Sequence, residues 1–261
     1  MTTPYVPPYP QAPFDAVMPA GPQAIMTWVS AIALTIFALV ALRQCLRDRS
    51  MLPLLYLVAG FCTILLEPLV THLGHAVHPE VGQWTLFKTA DRAIPWHIAL
   101  TYSFYFGGVF MVVMPRLFAG TVGAGFVWKS YFFTCALAYA IEIVPVHVGL
   151  WVYYDTQPLW LWKGSMPLWW TFVNASCIYF PMAMMLLFQP ALRGAGQLLV
   201  VPLSIMGANM AHFGAGVFVY NAMNSSAERW VIELAGLASV GAALLIVYAC
   251  TRIVMFSSAR R

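Results

Sequence analysis

Charged side chains are scarce in this sequence: 13 Lys and Arg and 9 Asp and Glu among 261 residues, or 8% of the chain. Soluble domains carry about 25%. So few charges cannot clothe a water-facing surface of this size, and most of the exterior must face lipid. No dense basic tract is present, which excludes the phosphate-neutralising face that nucleic acid requires. The cysteines Cys45, Cys62, Cys135, Cys177 and Cys250 are scattered and form no CxxC pair, so they read as small buried hydrophobes. Residues 1–24 contain no Lys or Arg and therefore lack the basic start of a signal peptide. Their proline content predicts a disordered or loosely attached tail. No internal repeat is visible, and the last apolar segment has no lysine for a retinal Schiff base.

What is abundant is apolar sequence, 61% of the chain. A spanning helix needs about 20 mostly apolar residues. Seven stretches qualify: Ile25 to Leu46, Met51 to Thr71, Ile98 to Phe118, Val127 to Leu150, Leu168 to Leu187, Gln197 to Tyr220 and Trp230 to Met255. They predict an all-α, polytopic membrane bundle over residues 25–256, followed by a basic tail at 257–261. With the N-terminus outside, Arg43, Arg47, Arg49, Arg116, Lys129, Arg193, Arg252, Arg260 and Arg261 fall inside. Lys88, Arg92, Lys163 and Arg229 fall outside. The positive-inside rule therefore favours an outside N-terminus and a cytoplasmic C-terminus.

On that topology the polar groups are one-sided. Glu67 ends the second span, followed by His72, His75 and His78, and His97 opens the third. Glu142 and His147 lie in the outer half of the fourth, with Asp155 beyond. Asn174, Asn209, His212 and Glu233 fall in the outer parts of the remaining spans. Intramembrane acids are costly and mark pathways or reaction centres. A carboxyl buried without a cation favours its neutral, proton-donating form. Glu67, Glu142, Glu233, Asp155 and His212 are therefore the catalytic candidates. Trp151, Tyr154, Trp169, Trp170, Asn174 and Asn209 are candidates to line a substrate cavity, where aromatic faces can steady a cation. Bland readings stand beside these. Aromatics gather at membrane interfaces, and Asn side chains bond helices together. The i, i+3, i+6 spacing of His72, His75 and His78 admits a metal site if the helix continues through them, although Gly74 and Pro79 argue that it ends.

Several short motifs suggest a family. Glu67-Pro68-Leu69, Gly82-Gln83-Trp84, Ile94-Pro95, Glu142 with Gly149-Leu150-Trp151-Val152-Tyr153-Tyr154, and Met166-Pro167-Leu168-Trp169 together resemble the bacterial AveC-like spirocyclase family. The likeness covers roughly residues 50–190. It implies a cofactor-independent membrane enzyme of a bacterial cytoplasmic membrane acting on a polyketide-type substrate. Trp169, Trp170 and Asn174 stand where that family's pattern has an acidic residue. The placement of Glu67 and Glu233 is also similar to seven-helix membrane terpene cyclases. Both likenesses imply acid-initiated cyclisation, isomerisation or dehydration of a lipophilic small molecule. A proton-coupled transporter or lipid-binding protein is the alternative, and a ligand receptor or a scaffold is a remoter one. Oligomeric state is not encoded in any feature of the sequence.

Overall fold

The computed structural model describes residues 10–259. Seven helical segments in it are long and apolar enough to cross a membrane. They are α1 (Ala20–Asp48), a broken second span, α4 (Trp96–Ala119), α5 (Ala124–His147), α6 (Leu168–Leu187), α7 (Val200–Met223, preceded by a 3-10 segment from Gly194) and α8 (Arg229–Ala259). The second span comprises α2 (Leu52–Thr63), a 3-10 turn (Ile64–Leu66) and α3 (Glu67–Leu73).

Small residues set the closest helix approaches, as expected where no water drives association. A Cβ on Gly60 of α2 would lie 2.7 Å from the Ser103 carbonyl of α4, and one on Gly107 would lie 2.7 Å from the Tyr56 carbonyl. The Ser103 hydroxyl donates across the same crossing to the Leu57 carbonyl at 2.9 Å. By contrast α1 is peripheral. Only Gln23, Ser30, Ala41 and Cys45 of its side chains are buried, and Ser30 meets Thr101 of α4 at 3.0 Å.

The two long connections fold over one end of the bundle as a cap. Strand β1 (Ala76–Val77) pairs antiparallel with β4 (Val152–Tyr153), while β2 (Thr85–Thr89) and β3 (Arg92–Pro95) form a hairpin. Polar side chains fasten the cap to helix ends. Gln23 donates to the Gly82 carbonyl and accepts from the Trp84 N–H. Gln157 donates to the carbonyls of Gly74 and His75, and Asn224 donates to that of Leu73.

Two expectations change. The proline-rich segment is not loose from residue 10 onward: Met18 is buried, its N–H donates to the Val81 carbonyl at 2.8 Å, and α1 begins at Ala20. Residues 1–9 lie outside those described. At the other end α8 continues to Ala259, so the expected tail is mostly helix, and Arg260 and Arg261 lie outside the described residues.

Candidate active site

The second span is broken where its acid sits. Pro68 has no N–H to offer the preceding turn, and the backbone tightens into the 3-10 turn immediately before Glu67. Such an interruption inside a helix often marks a functional position. It leaves Glu67 fully buried. Tyr102 of α4 donates to its Oε2 at 2.5 Å, and Oε1 lies 3.2 Å from Nε2 of His78. The other ring nitrogen of His78, Nδ1, faces the Leu150 carbonyl at 3.4 Å. A carbonyl can only accept, so these partners assign the ring proton to Nδ1. The Nε2···Oε1 contact then holds one further proton, shared between imidazole and carboxyl.

A second acid lies on α5. Asn174 of α6 donates to Oε1 of Glu142 at 3.0 Å, and Tyr153 of β4 donates to Oε2 at 3.2 Å. Burial holds the Tyr153 hydroxyl well above the ordinary phenol value, so it remains a donor. The Asn174 oxygen faces Nε2 of His212 at 3.1 Å, and Nδ1 of His212 faces the Tyr220 hydroxyl at 2.6 Å. Since the amide nitrogen is committed to Glu142, its oxygen must accept from Nε2–H. Tyr220 then donates to Nδ1 when the ring is neutral. A directed chain of donors thus runs from Tyr220 through His212 and Asn174 to Glu142.

Both arms reach one cavity of about 50 Å³, lined among others by Tyr102, Glu142, Asn174, His212, His97 and Trp151. Its remaining walls are mostly apolar, including Leu66, Ile98, Phe106, Ala138 and Ile141. Tyr102 and Phe106 stack at 5.1 Å, and Tyr105 stands edge-on to Phe106 at 5.7 Å. His97 is 1% exposed, yet neither of its nitrogens has a hydrogen-bond partner among the described residues, and the Trp151 Nε1–H is likewise unpaired. Buried polar atoms in folded proteins are nearly always partnered. Unpaired donors and acceptors on a cavity wall are therefore groups available to a ligand.

The other sequence candidates lie elsewhere. Glu233 accepts from the Leu159 N–H at 2.8 Å and pairs with Arg229 on its own helix, anchoring the cap. Asp155 lies 3.1 Å from His75 Nδ1 in the cap, where both residues adopt left-handed backbone. Tyr154 accepts from Arg92 and stacks on His75. Asn209 donates to the Ile205 carbonyl of its own helix. Trp169 and Trp170 are buried behind the cavity, Trp170 edge-on to His212 at 5.6 Å and Trp169 edge-on to Tyr220 at 5.8 Å.

The histidine run does not form a metal site. The helix ends at Leu73, so the spacing that would align the rings is lost. His72 is exposed, His75 faces Asp155 and Asn224, and His78 faces Glu67. Among the described residues no group of three His, Cys, Asp or Glu is arranged to hold a metal.

Five functional candidates escaped the sequence reading: His78 as a partner of Glu67, His97, Tyr102, Tyr153 and Tyr220. Tyrosines in an apolar run read as packing, and only the break at Pro68 hinted that Glu67 would need a donor from another helix. No known protein family, curated protein or solved structure matches this chain.

Proposed function

We propose that the protein is a membrane-embedded cyclase or isomerase, dehydratase-like where the substrate is an alcohol, that rearranges a lipophilic terpenoid or polyketide-type molecule without a cofactor. One observation carries the reading: a fully buried carboxyl, Glu67, and a half-buried one, Glu142, each held by partners from other elements, serve one largely apolar cavity whose wall also presents both nitrogens of His97 without partners among the described residues. The short motifs that resemble those of AveC-like spirocyclases point the same way. We further propose that the cap faces away from the cytoplasm of a bacterial cell, because the uncapped end carries Arg43, Arg47, Arg49, Arg116, Lys129, Arg193 and Arg252.

In this reading Glu142 in its neutral form gives its proton to an alkene, epoxide or alcohol. The O–H bond of Glu142 breaks as the new C–H or O–H bond forms, leaving a carboxylate steadied by Asn174 and Tyr153. The carbocation left on the substrate lies among the faces of Tyr105, Phe106 and Trp151, an arrangement that stabilises a desolvated cation. His97 removes a proton from a carbon next to the cation and a double bond forms. Return of that proton to Glu142 resets the site. The product has the mass of the substrate, or that mass less water when an alcohol was protonated. Tyr102 brings the proton shared by Glu67 and His78 within one hydrogen bond of the cavity, as a reserve donor.

Replacing Glu142 by Gln tests the assignment. The amide oxygen still accepts from Asn174, and the Tyr153 hydroxyl can turn to accept from the amide nitrogen, so the fold should persist. General acid–base assistance is worth about 10²–10⁴-fold. Lipophilic extracts of cells lacking the gene, and of cells restored with wild type or with Glu142→Gln at matched protein levels, are compared by mass spectrometry. A pair of equal mass, or differing by water, should exchange abundance only with wild type. An amide variant that restores the product would sink the assignment.

A further inference from the structure

The acid cavity is too small for the molecule proposed to react in it. Its volume of about 50 Å³ accommodates about a few waters, or the reacting end of a longer substrate, so the bulk of such a substrate must lie outside. An adjoining groove offers such a place. Between α4 and α5 a groove of about 500 Å³ opens, and Tyr105 and Ile141 line both the groove and the cavity. It exists because α4 packs on α1 and α2 while α5 packs on α6 and α8, which leaves their facing surfaces apart. Phe37 of α1 forms part of its wall, where a Cβ on Gly108 would come within 2.7 Å of the Phe37 ring.

The groove wall is apolar along Val109, Val112, Phe133 and Leu137, and it carries a single charged residue, Arg116. That guanidinium donates through one nitrogen to the Val112 carbonyl at 2.5 Å and lies 6.0 Å from the Phe126 ring centroid. No carboxylate pairs with it among the described residues. Its other N–H groups are a fork suited to phosphate or carboxylate. Tyr105 and Arg116 are eleven residues apart on α4, which at 1.5 Å per residue is about 16 Å.

We propose that this groove holds a single-chain amphiphile with an anionic head, its head at Arg116 and its tail tip delivered past Tyr105 and Ile141 to Glu142. The proposal rests on the reading of Glu142 as proton donor and adds the substrate class: the protein protonates the end of the chain remote from the charge. The cation then forms far from the polar head, inside the aromatic cavity and away from interfacial water.

Dodecyl phosphate bearing a diazirine on its terminal carbon tests this. The full chain is placed in phosphatidylcholine nanodiscs, irradiated, and its adducts mapped by peptide mass spectrometry. Wild type and Glu142→Gln should both be labelled near Tyr105 and Ile141. Arg116→Gln, an exposed change expected to leave the thermal midpoint unaltered, should reduce that labelling about tenfold, the size of a lost hydrogen bond to a charged group. Val109→Trp, which fills the groove, should reduce it likewise. Labelling dependent on Arg116 supports the groove whatever the turnover assay of Glu142→Gln returns. Labelling indifferent to Arg116→Gln overturns it, even where Glu142→Gln abolishes turnover. Equal labelling by phosphatidylcholine carrying the diazirine on an acyl chain also overturns it, since the occupant would then be ordinary bilayer lipid.

Discussion

The two ends of the bundle handle polarity in opposite ways. At the uncapped end the polar contacts are exposed: Arg47 pairs with its neighbour Asp48, and Gln197 accepts from the Met51 N–H at the helix junction. At the capped end the contacts around the two acids are buried or half-buried, and they join helices to one another and to the cap. Glu67 and Glu142 come from helices, but several of their partners, His78, Tyr153 and the Leu150 carbonyl behind His78, come from the cap. A helix that crosses lipid satisfies its own backbone and has few donors to spare for a buried acid. The difference teaches that the cap completes the site by supplying the donors which the helices lack.

The largest effects should therefore come from acids whose partners arrive from both helix and cap. Beyond Glu142, the informative change is Glu67→Gln. The amide oxygen can accept from Tyr102 and the amide nitrogen can donate to Nε2 of His78, so every hydrogen bond survives while the transferable proton disappears. Turnover should fall about 10²-fold, with the thermal midpoint nearly unmoved. Arg47→Gln at the other end should change neither. Equal loss from both variants would erase the distinction between the ends.

Next in size is the seam between cap and bundle. A Cβ on Gly74 would lie 2.1 Å from Trp170 and 2.8 Å from the Val70 carbonyl. Trp170 is 1% exposed and wedged against Trp151, Tyr153 and Trp169, so it has no free direction in which to yield. Gly74→Ala should cost about 1–3 kcal/mol, the usual range for overpacking, read as a lower thermal midpoint in detergent. Gly21→Ala, where an added Cβ meets nothing, is the control.

The same contrast explains what could be read from sequence. The seven spans were legible because lipid demands long apolar runs, and Glu67, Glu142, Asn174 and His212 were legible because polar groups in such runs are conspicuous. Tyr102 and Tyr220 were not, since a tyrosine in an apolar run is equally a packing residue until its hydroxyl is seen to face a carboxyl or an imidazole. The cap was the other loss. Residues 72–97 and 151–167 lack a regular period, and the pairing of Ala76 with Tyr153 crosses two whole spans. Glu233 looked like an intramembrane acid, and Asp155 like a loop acid that could fold inward, for the same reason. Position along the chain does not reveal that a loop N–H, or a cap histidine, stands opposite.

His75 makes the cap sensitive to pH. Burial, the leading cause, holds its pKa below the ordinary histidine value of 6.5, although Asn224 and Asp155 act to raise it. In the unfolded chain the ring protonates near 6.5, whereas in the folded protein it resists until lower pH. The unfolded state thus binds more protons in that interval, so stability is present above 6.5 and is lost as pH falls through that value toward the folded pKa. Thermal midpoints measured between pH 7.5 and 5.5 should decline in wild type and decline less in His75→Gln. Parallel slopes would remove His75 from the account.

The smallest expected effect separates anchoring from chemistry. Glu233 has the position of an intramembrane acid at the start of α8, yet its carboxylate is one-third exposed and is occupied by the Leu159 N–H and Arg229. Glu233→Gln keeps an oxygen for the Leu159 N–H and gives up only the ion pair with Arg229. Partly exposed pairs of this kind contribute about 0.5 kcal/mol, because water screens the charges and ordering two long side chains costs entropy. Turnover should stay within about twofold of wild type, and the midpoint should fall by no more than about 2 °C. A loss comparable to that of Glu142→Gln would put Glu233 in contact with the reacting substrate, and the cap would then be a moving part that brings α8 to the cavity.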